Sequence, residues 1–483
     1  MANSYLTRTP SSDGNRKTMT FSYWIKRITT GVNNNGCVIC DEQQSYPTHR
    51  ISFESDDTMM IRSAVGTSES NSSQLHCRTN RKFRDTSSWY HFVIAIDTTQ
   101  SADIDKVKLW VNGEQNLSWQ ADGPDSDQNL DTQFNRGEAI YIGNLNGAYS
   151  DMHLAHYHFV DGTALAPTVF GSYNGTTGEW QPILSPSNIT YGTNGFWLKF
   201  ENASSLGTDS SGRSNNWNVN GNLKQSVSTP NNVFNTLNRN ESYNTNVATA
   251  IKYGGTGWED AHTGADGPKG TVGNLAMTSG KWYYEMQYIH PAMYSTFGIS
   301  KANTLAVSKM LNTQYRSPFL QGNEGDGFGC QVANVAILIQ RGDNTEQAWL
   351  SNASDGNSGI TMASNGQVCM CAFDLDAGKI WWGINGTWNT VPGSTTATSS
   401  SDIASGNNAH KTWTPDGKFY RTGHSEYNRF GNAAAQKNNF GEGRFGTTAV
   451  SSGNADSQGI GVFEFAPPSG FLAICTKNIK TYG

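Results

Sequence analysis

Charged residues are scarce in this 483-residue chain. Asp, Glu, Lys and Arg make up 15% of it, against about 25% in ordinary globular proteins. The formal charge is −6, and no uninterrupted block of basic residues occurs. That argues against nucleic acid or an anionic membrane as partner. No run of about 18 apolar residues exists, so no membrane-spanning helix is expected. The opening residues, MANSYLTRTPSSDGNRK, hold no apolar stretch of signal-peptide length, so no cleaved leader is expected either. Cysteine is sparse and odd in number: Cys37, Cys40, Cys77, Cys330, Cys369, Cys371 and Cys475. That density argues against a disulfide framework. Cys37 and Cys40 have the C-x-x-C spacing of a zinc or redox motif, but Cys369-Met370-Cys371 does not supply a matching second pair. The cysteines therefore read as small buried hydrophobes.

Sustained helical periodicity is also missing. What is present is aromatic and turn-rich: 14 Trp, 19 Tyr, 21 Phe and 51 Gly. Disorder would need few aromatics, so the composition fits short strands joined by many turns. The length suits two β-rich domains. In the first half, Met19, Phe21, Tyr23 and Ile25 alternate onto one face of MTFSYWIKR. Phe92, Ile94 and Ile96 do so in HFVIAIDT, and Val107, Leu109 and Val111 in KVKLWVNGEQ. The last run turns at Asn112-Gly113, a strong hairpin signal. AIYIGNL and MHLAHYHFV read as two more strands. Then DGTALAPTVFGSYNGTTGEW, residues 161–180, interrupts the strands with a proline-initiated turn, for which Pro167 suits an early helical position.

This strand order, closing on DGTALAP, resembles a laminin-G-like jelly roll of the concanavalin-A-like lectin/glucanase fold. The resemblance implies two antiparallel sheets face to face, with ALAPTVFG as a short helical turn covering a sheet edge or end. YGTNGFWLKFENASSLGTDSSGRSNNWNV (191–219) resembles the opening of such domains but follows the closing strand. It is expected to pair back into the same sandwich, in effect a circular permutation. The boundary is expected near STPNNVFNTLNRNES (228–242). Beyond it, GKWYYEM, FGIS, VCMCAFDLDAGKIWWGING, NNFG and APPSGFLAIC resemble a SPRY domain, another bent β-sandwich. The expected architecture is thus all-β, with two antiparallel jelly-roll-type sandwiches over 1–235 and 236–483. A long surface insertion is expected near 389–437, which holds GSTTATSSSD.

Catalytic patterns are not found. The glucanase signature E-x-D-x-x-E, which would set two carboxylates on one strand, is absent. Asp374 and Asp376 flank a turn, where Asp bonds nearby backbone; Glu324 and Asp326 read the same way. His156 and His158 share a strand face, and His153 has the opposite parity, so they read as surface histidines. No nucleophile elbow, phosphate loop or dinucleotide fingerprint occurs. No catalytic residue is assigned.

Binding chemistry is better represented. If Ile380, Trp382 and Ile384 face the core, the pleat turns Trp381 outward, with Trp388 on the following loop. Trp381 and Trp388 are the candidate ligand contacts; the alternative is packing beneath the 389–437 insertion or against another subunit. Laminin-G-like domains often bind Ca²⁺ through loop carboxylates, and Asp122, Asp125, Asp127 and Asp209 are the candidate suppliers.

The combination of segments YLTRTPSSDGNRKTMTFSYWIKR, FVDGTALAPTVFG, YGTNGFWLKF, GTDSSG and TPNNVFNTLN resembles a protein type common in phages of marine bacteria. That resemblance implies a non-catalytic virion surface protein, made in the host cytoplasm. It would be a receptor-binding or tail-fibre-type adhesin for host surface polysaccharide. Other virion proteins and a homo-oligomer, such as a trimer, are the further expected partners. The alternative is capsid decoration or tail assembly, with the sandwiches as protein-interaction modules. A polysaccharide-degrading enzyme is the least favoured reading.

Overall fold

The computed structural model describes residues 4–31, 37–41, 49–64, 75–120, 123–124, 126–241, 251–260, 267–289, 294–301, 327–332, 336–341, 347–352, 365–391, 396–428 and 434–483. The chain divides into two compact units. One holds Met1–Gln225 and Thr229–Asn231; the other holds Ser226–Ser228 and Asn232–Gly483. The fold is all-β, built on antiparallel sheets. The expected boundary at 235/236 lies a few residues late. Phe234 is buried in the core of the second unit, so the crossing comes before the polar stretch ends.

In the first unit a seven-stranded sheet runs Asn218–Asn220, Tyr5–Arg8, Ile140–Ile142, Cys37–Asp41, His49–Phe53, Thr58–Ser63, Leu75–Lys82. A six-stranded sheet runs Phe196–Leu198, Met152–Asp161, Thr18–Arg27, Tyr90–Asp97, Val107–Val111, Glu114–Gln115. Met19, Phe21, Tyr23, Ile25, Phe92, Ile94, Ile96, Val107, Leu109 and Val111 all enter one buried cluster. The period-2 pattern in the sequence therefore marks this face directly. Each such side chain contributes about 1.5–3 kcal/mol through burial. Asn112 and Gly113 both have positive φ, as their hairpin turn requires.

Segment 191–219 returns to this sandwich at both sheets. Phe196–Leu198 pairs with Met152–Asp161, and Asn218–Asn220 pairs with Tyr5–Arg8. Asp161, at the end of its strand, holds the return in place. Its buried carboxylate accepts from the backbone N–H of Asn15, Thr193 and Asn194 and from Asn135 Nδ2, at 2.7–3.1 Å. Four segments distant in sequence therefore meet on one side chain.

ALAPTVFG forms a single 3₁₀ turn, Pro167–Val169, with Pro in the first turn as expected. It covers a sheet face, not an edge. Phe170 packs with Val93, Val160, Tyr191 and Trp197 on the outer side of the six-stranded sheet. Residues 162–191 are thus a third layer. They bury a face that also carries Ser22, His91 and His158.

The second unit has a sheet ordered Ile251–Lys252, Gly257–Asp260, Ala434–Asn439, Lys281–Tyr288, Val368–Asp374, Lys379–Ile384, Thr387–Trp388. Leu472–Ala473 adds to it in parallel. The other sheet runs Gly267–Val272, Tyr420–Asn428, Tyr294–Lys301, Gly327–Val332, Ala336–Arg341, Gln347–Asn352. The expected insertion near 389–437 is corrected here. Tyr420–Asn428 is an interior strand of one sheet, and Ala434–Asn439 lies inside the other. Their inward positions include Thr422, His424, Gln436 and Asn438, all buried and none apolar. A hydrophobic period of two could not reveal them.

Candidate functional site

The structure buries both of the aromatic contacts expected from the sequence. Trp381 does point away from Trp382 across the pleat, but the face it occupies is covered. Trp381 is 0% exposed and Trp388 is 5% exposed. Both lie in a cluster with Phe234, Ile403, Phe463 and Phe471. Trp381 Nε1 donates to the Asn407 carbonyl at 2.9 Å, and Trp388 Nε1 to Ser400 Oγ at 3.1 Å. The excursion carrying the helix Ser400–Ala404 therefore sits on them. Packing beneath that segment, the alternative weighed for these residues, is what the structure has.

Asp209 is not a free calcium ligand. Its two carboxylate oxygens accept from the N–H groups of Trp197, Ser211 and Asn215 and from Ser211 Oγ, each at 2.8 Å. It shapes its own turn and ties it to the neighbouring strand. Asp127 is exposed, while Asp122 and Asp125 lie outside the described residues, as do Glu324 and Asp326. Among the described residues, no three His, Cys, Asp or Glu side chains converge as a metal site would require.

His158 is not a surface group, and His153 and His156 are half-buried. An irregularity between Ala155 and His158 breaks the strand parity, with His156 at φ +44°. His158 is buried, stacks on Trp197 at 4.9 Å, and its Nδ1 bonds the Tyr191 hydroxyl at 2.8 Å. A bulge after Cys37 likewise turns Val38 and Ile39 both into the main core, leaving Cys37 and Cys40 buried together on the opposite face. Cys37, Cys40, Cys77, Cys369, Cys371 and Cys475 are all buried.

A different pair of aromatics reaches the surface. Gly171–Tyr173 and Trp180–Pro182 form a two-stranded hairpin in which Tyr173 stands directly opposite Trp180. The intervening Asn174–Glu179 turn closes by Asn174 N–H to the Glu179 carbonyl at 2.7 Å. Asn174 Oδ1 accepts from Thr176 and Thr177 N–H. Tyr173 remains 55% exposed, its ring edge-on to Trp180 at 4.9 Å.

Trp180 is fixed from below. Its Nε1 donates to His91 Nδ1 at 2.8 Å. An indole N–H can only donate, so His91 Nδ1 accepts and its proton sits on Nε2, which donates to Ser22 Oγ at 2.9 Å. Burial, with His156 nearby, pushes the His91 imidazole down to about 3, so it stays neutral. His91 in turn stacks on Trp24 at 4.6 Å. Two glycines let the indole lie this close. A Cβ on Gly113 or Gly171 would fall 2.7 or 2.6 Å from indole carbons.

The result is a rigid aromatic platform with amides beside it, Asn174 Nδ2 bonding Gln181 Oε1 at 3.2 Å. Glu179 is the one carboxylate in the hairpin sequence 171–182. Stacking and hydrogen bonding are what it offers. The signal was in the sequence: Tyr and Trp seven residues apart around NGTTG specify a cross-strand pair. Alternation scoring passed it over because these strands have three residues each.

Residues 1–161 match the family model described as the concanavalin A-like lectin/glucanases superfamily. No curated protein matches the chain. Among solved structures, domains LG4-5 of the mouse laminin alpha1 chain align over 96% of this chain and 94% of theirs, at 9% identity and a TM-score of 0.27. The SPRY domain of human HERC1 aligns over 42% of this chain and 96% of its own, at 11% identity and a TM-score of 0.25. Likenesses this weak say nothing about what this chain does.

Proposed function

We propose that this chain is a non-catalytic binding module that recognises surface polysaccharide, with Tyr173 and Trp180 as its principal contact. The single observation behind this is the exposed Tyr173 on an immobilised Trp180, with Asn174 and Gln181 alongside. Aromatic rings offer a large apolar face at low conformational cost. A pyranose presents a matching C–H face, and its hydroxyls suit amide donors and acceptors. The lectin-type family match of the N-terminal unit agrees with a binding or adhesion role.

The finer reading is a phage virion adhesin, displayed on tail or capsid as a homo-oligomer. Repeated copies would raise weak single-site affinity by avidity. Calcium enters only through the loop that includes Asp122, Asp125 and Asp127. A second reading, capsid decoration or tail assembly, draws on Phe419, which is 59% exposed on the other unit. Exposed aromatics also anchor protein interfaces.

The test is binding of labelled full-length chain to arrayed bacterial surface polysaccharides, with and without EDTA. Saturable binding reduced at least tenfold by Tyr173→Ala supports the glycan reading. EDTA sensitivity places calcium in it. Absence of binding by the native oligomer across the array moves the assignment to virion assembly.

A further inference from the structure

The surroundings of the Tyr173–Trp180 platform are one-sided in charge. Residues 162–191, the layer that carries the platform, contain no Lys, Arg or Asp and a single charged residue, Glu179. Glu179 is exposed and directly precedes Trp180 in the chain. The second element in contact is the turn Asn112-Gly113, so close that a Cβ on Gly113 would fall 2.7 Å from the indole. The next residue, Glu114, is exposed, and no Lys or Arg occurs between Leu109 and Leu117.

The layer beneath adds no positive charge to the surface. His91 Nδ1 accepts from Trp180 Nε1, which only an unprotonated nitrogen can do, so that ring is neutral. The supporting strands are Thr18–Arg27, Tyr90–Asp97 and Val107–Val111. Of their cations, Lys26 and Arg27 are buried, and Lys108 is paired with Asp105 at 3.2 Å. The groups left to meet a ligand are neutral. They are the Tyr173 ring and hydroxyl, the amides of Asn174 and Gln181, and that of Gln115, which is exposed and stands opposite Trp110.

A polysaccharide bearing uronate, sulfate or phosphate would bring its charges within about 10 Å of two carboxylates, inside the screening length of ordinary salt. No guanidinium fork or ammonium stands there to receive them. Like charge set against like charge weakens the wrong partner without strengthening the right one. A neutral sugar ring loses nothing at the same place.

We propose that the Tyr173–Trp180 platform selects neutral pyranose chains and excludes polyanionic ones, with Glu114 and Glu179 as the residues that set this specificity. The inference rests on the glycan reading above and adds to it the class of sugar.

The test uses the full-length chain on the polysaccharide array. The polymers whose binding Tyr173→Ala weakens are expected to be neutral. Their affinity is expected to change less than about twofold between about 20 mM and about 500 mM NaCl. Oxidising the primary hydroxyls of the tightest of them to carboxylates is expected to weaken binding at least about fivefold at the lower salt. High salt, or the double variant Glu114→Gln with Glu179→Gln, is expected to recover most of that loss. Two results would overturn the charge selection and leave the glycan reading standing: Tyr173-dependent binding to polymers bearing uronate, sulfate or phosphate, or an oxidation deficit moved neither by salt nor by the double variant. Absence of any Tyr173-dependent binder would remove both.

Discussion

Single side chains carry most of what is specific here. Gly171 has no room for a methyl group beside the Trp180 indole, where a Cβ would sit 2.6 Å from ring atoms. Gly171→Ala is therefore expected to displace the indole from His91. The cost is about 1–3 kcal/mol, as for other overpacking changes, read by urea denaturation together with a shift in tryptophan emission. An unchanged emission spectrum and midpoint would show that the platform is not clasped as described. The same scale explains the misplacement of Trp381 and Trp388. Alternation told which residues share a face, and did so correctly. It could not tell that a second layer, including Ser400–Ala404 and Phe471, covers that face. Exposure is a property of the whole chain path, not of a strand's period.

Elements in this protein are joined by buried polar side chains as much as by apolar ones. Asp161 links the N-terminal loop at Asn15, the loop at Asn135, and the return at Thr193–Asn194. Asp161→Ala would leave three backbone N–H groups without acceptors and take one of two acceptors from Asn135 Nδ2. Each stranded buried donor costs about 1–3 kcal/mol, so a loss of more than about 3 kcal/mol is expected for the first unit, measured by chemical unfolding. A loss under 1 kcal/mol would show that water replaces the carboxylate. This clasp also marks how far the sequence could be read. The long amphipathic strands and the Asn112-Gly113 hairpin were legible because apolar spacing and turn chemistry are local, whereas the doubled-back segment 191–219 was expected only from its resemblance to the opening of laminin-G-like domains. The interior strands Tyr420–Asn428 and Ala434–Asn439 were not, since polar residues occupy their buried positions. The three-residue strands of the Tyr173–Trp180 hairpin were too short for any period to register.

At the scale of the molecule, the two units should respond differently to acid. In the first, burial pushes His49 down to about 4 and His91 to about 3, and holds His158 well below its ordinary value. Unfolded histidines take up protons near pH 6.5 while these folded ones do not, so stability is full above that pH and is lost as pH falls. Three such groups give a slope of about 4 kcal/mol per pH unit between about 6 and 4.5. In the second unit, His410 at about 4 and His424 at about 3 act in the same direction. Glu285 opposes them. Burial raises it to about 7, so its contribution is present at low pH and lost as pH rises from about 4.5 to 7. The net slope there is about 1.4 kcal/mol per pH unit. Calorimetry at pH 7 and pH 5 should therefore show the first unit's transition falling further. Equal shifts, or a larger fall in the second unit, would contradict these histidine environments.

The two sandwiches give the chain a scaffold on which a small, stiff aromatic surface is held by glycines and a neutral histidine. The most direct test is a titration of arrayed bacterial surface polysaccharides with the unmodified chain and with Tyr173→Ala. Tyr173 is exposed, so its removal should leave the unfolding midpoint nearly unchanged, within about 0.5 kcal/mol. Apparent affinity should fall at least tenfold, about 1.4 kcal/mol. Polysaccharide binding that is undiminished in Tyr173→Ala would contradict the account.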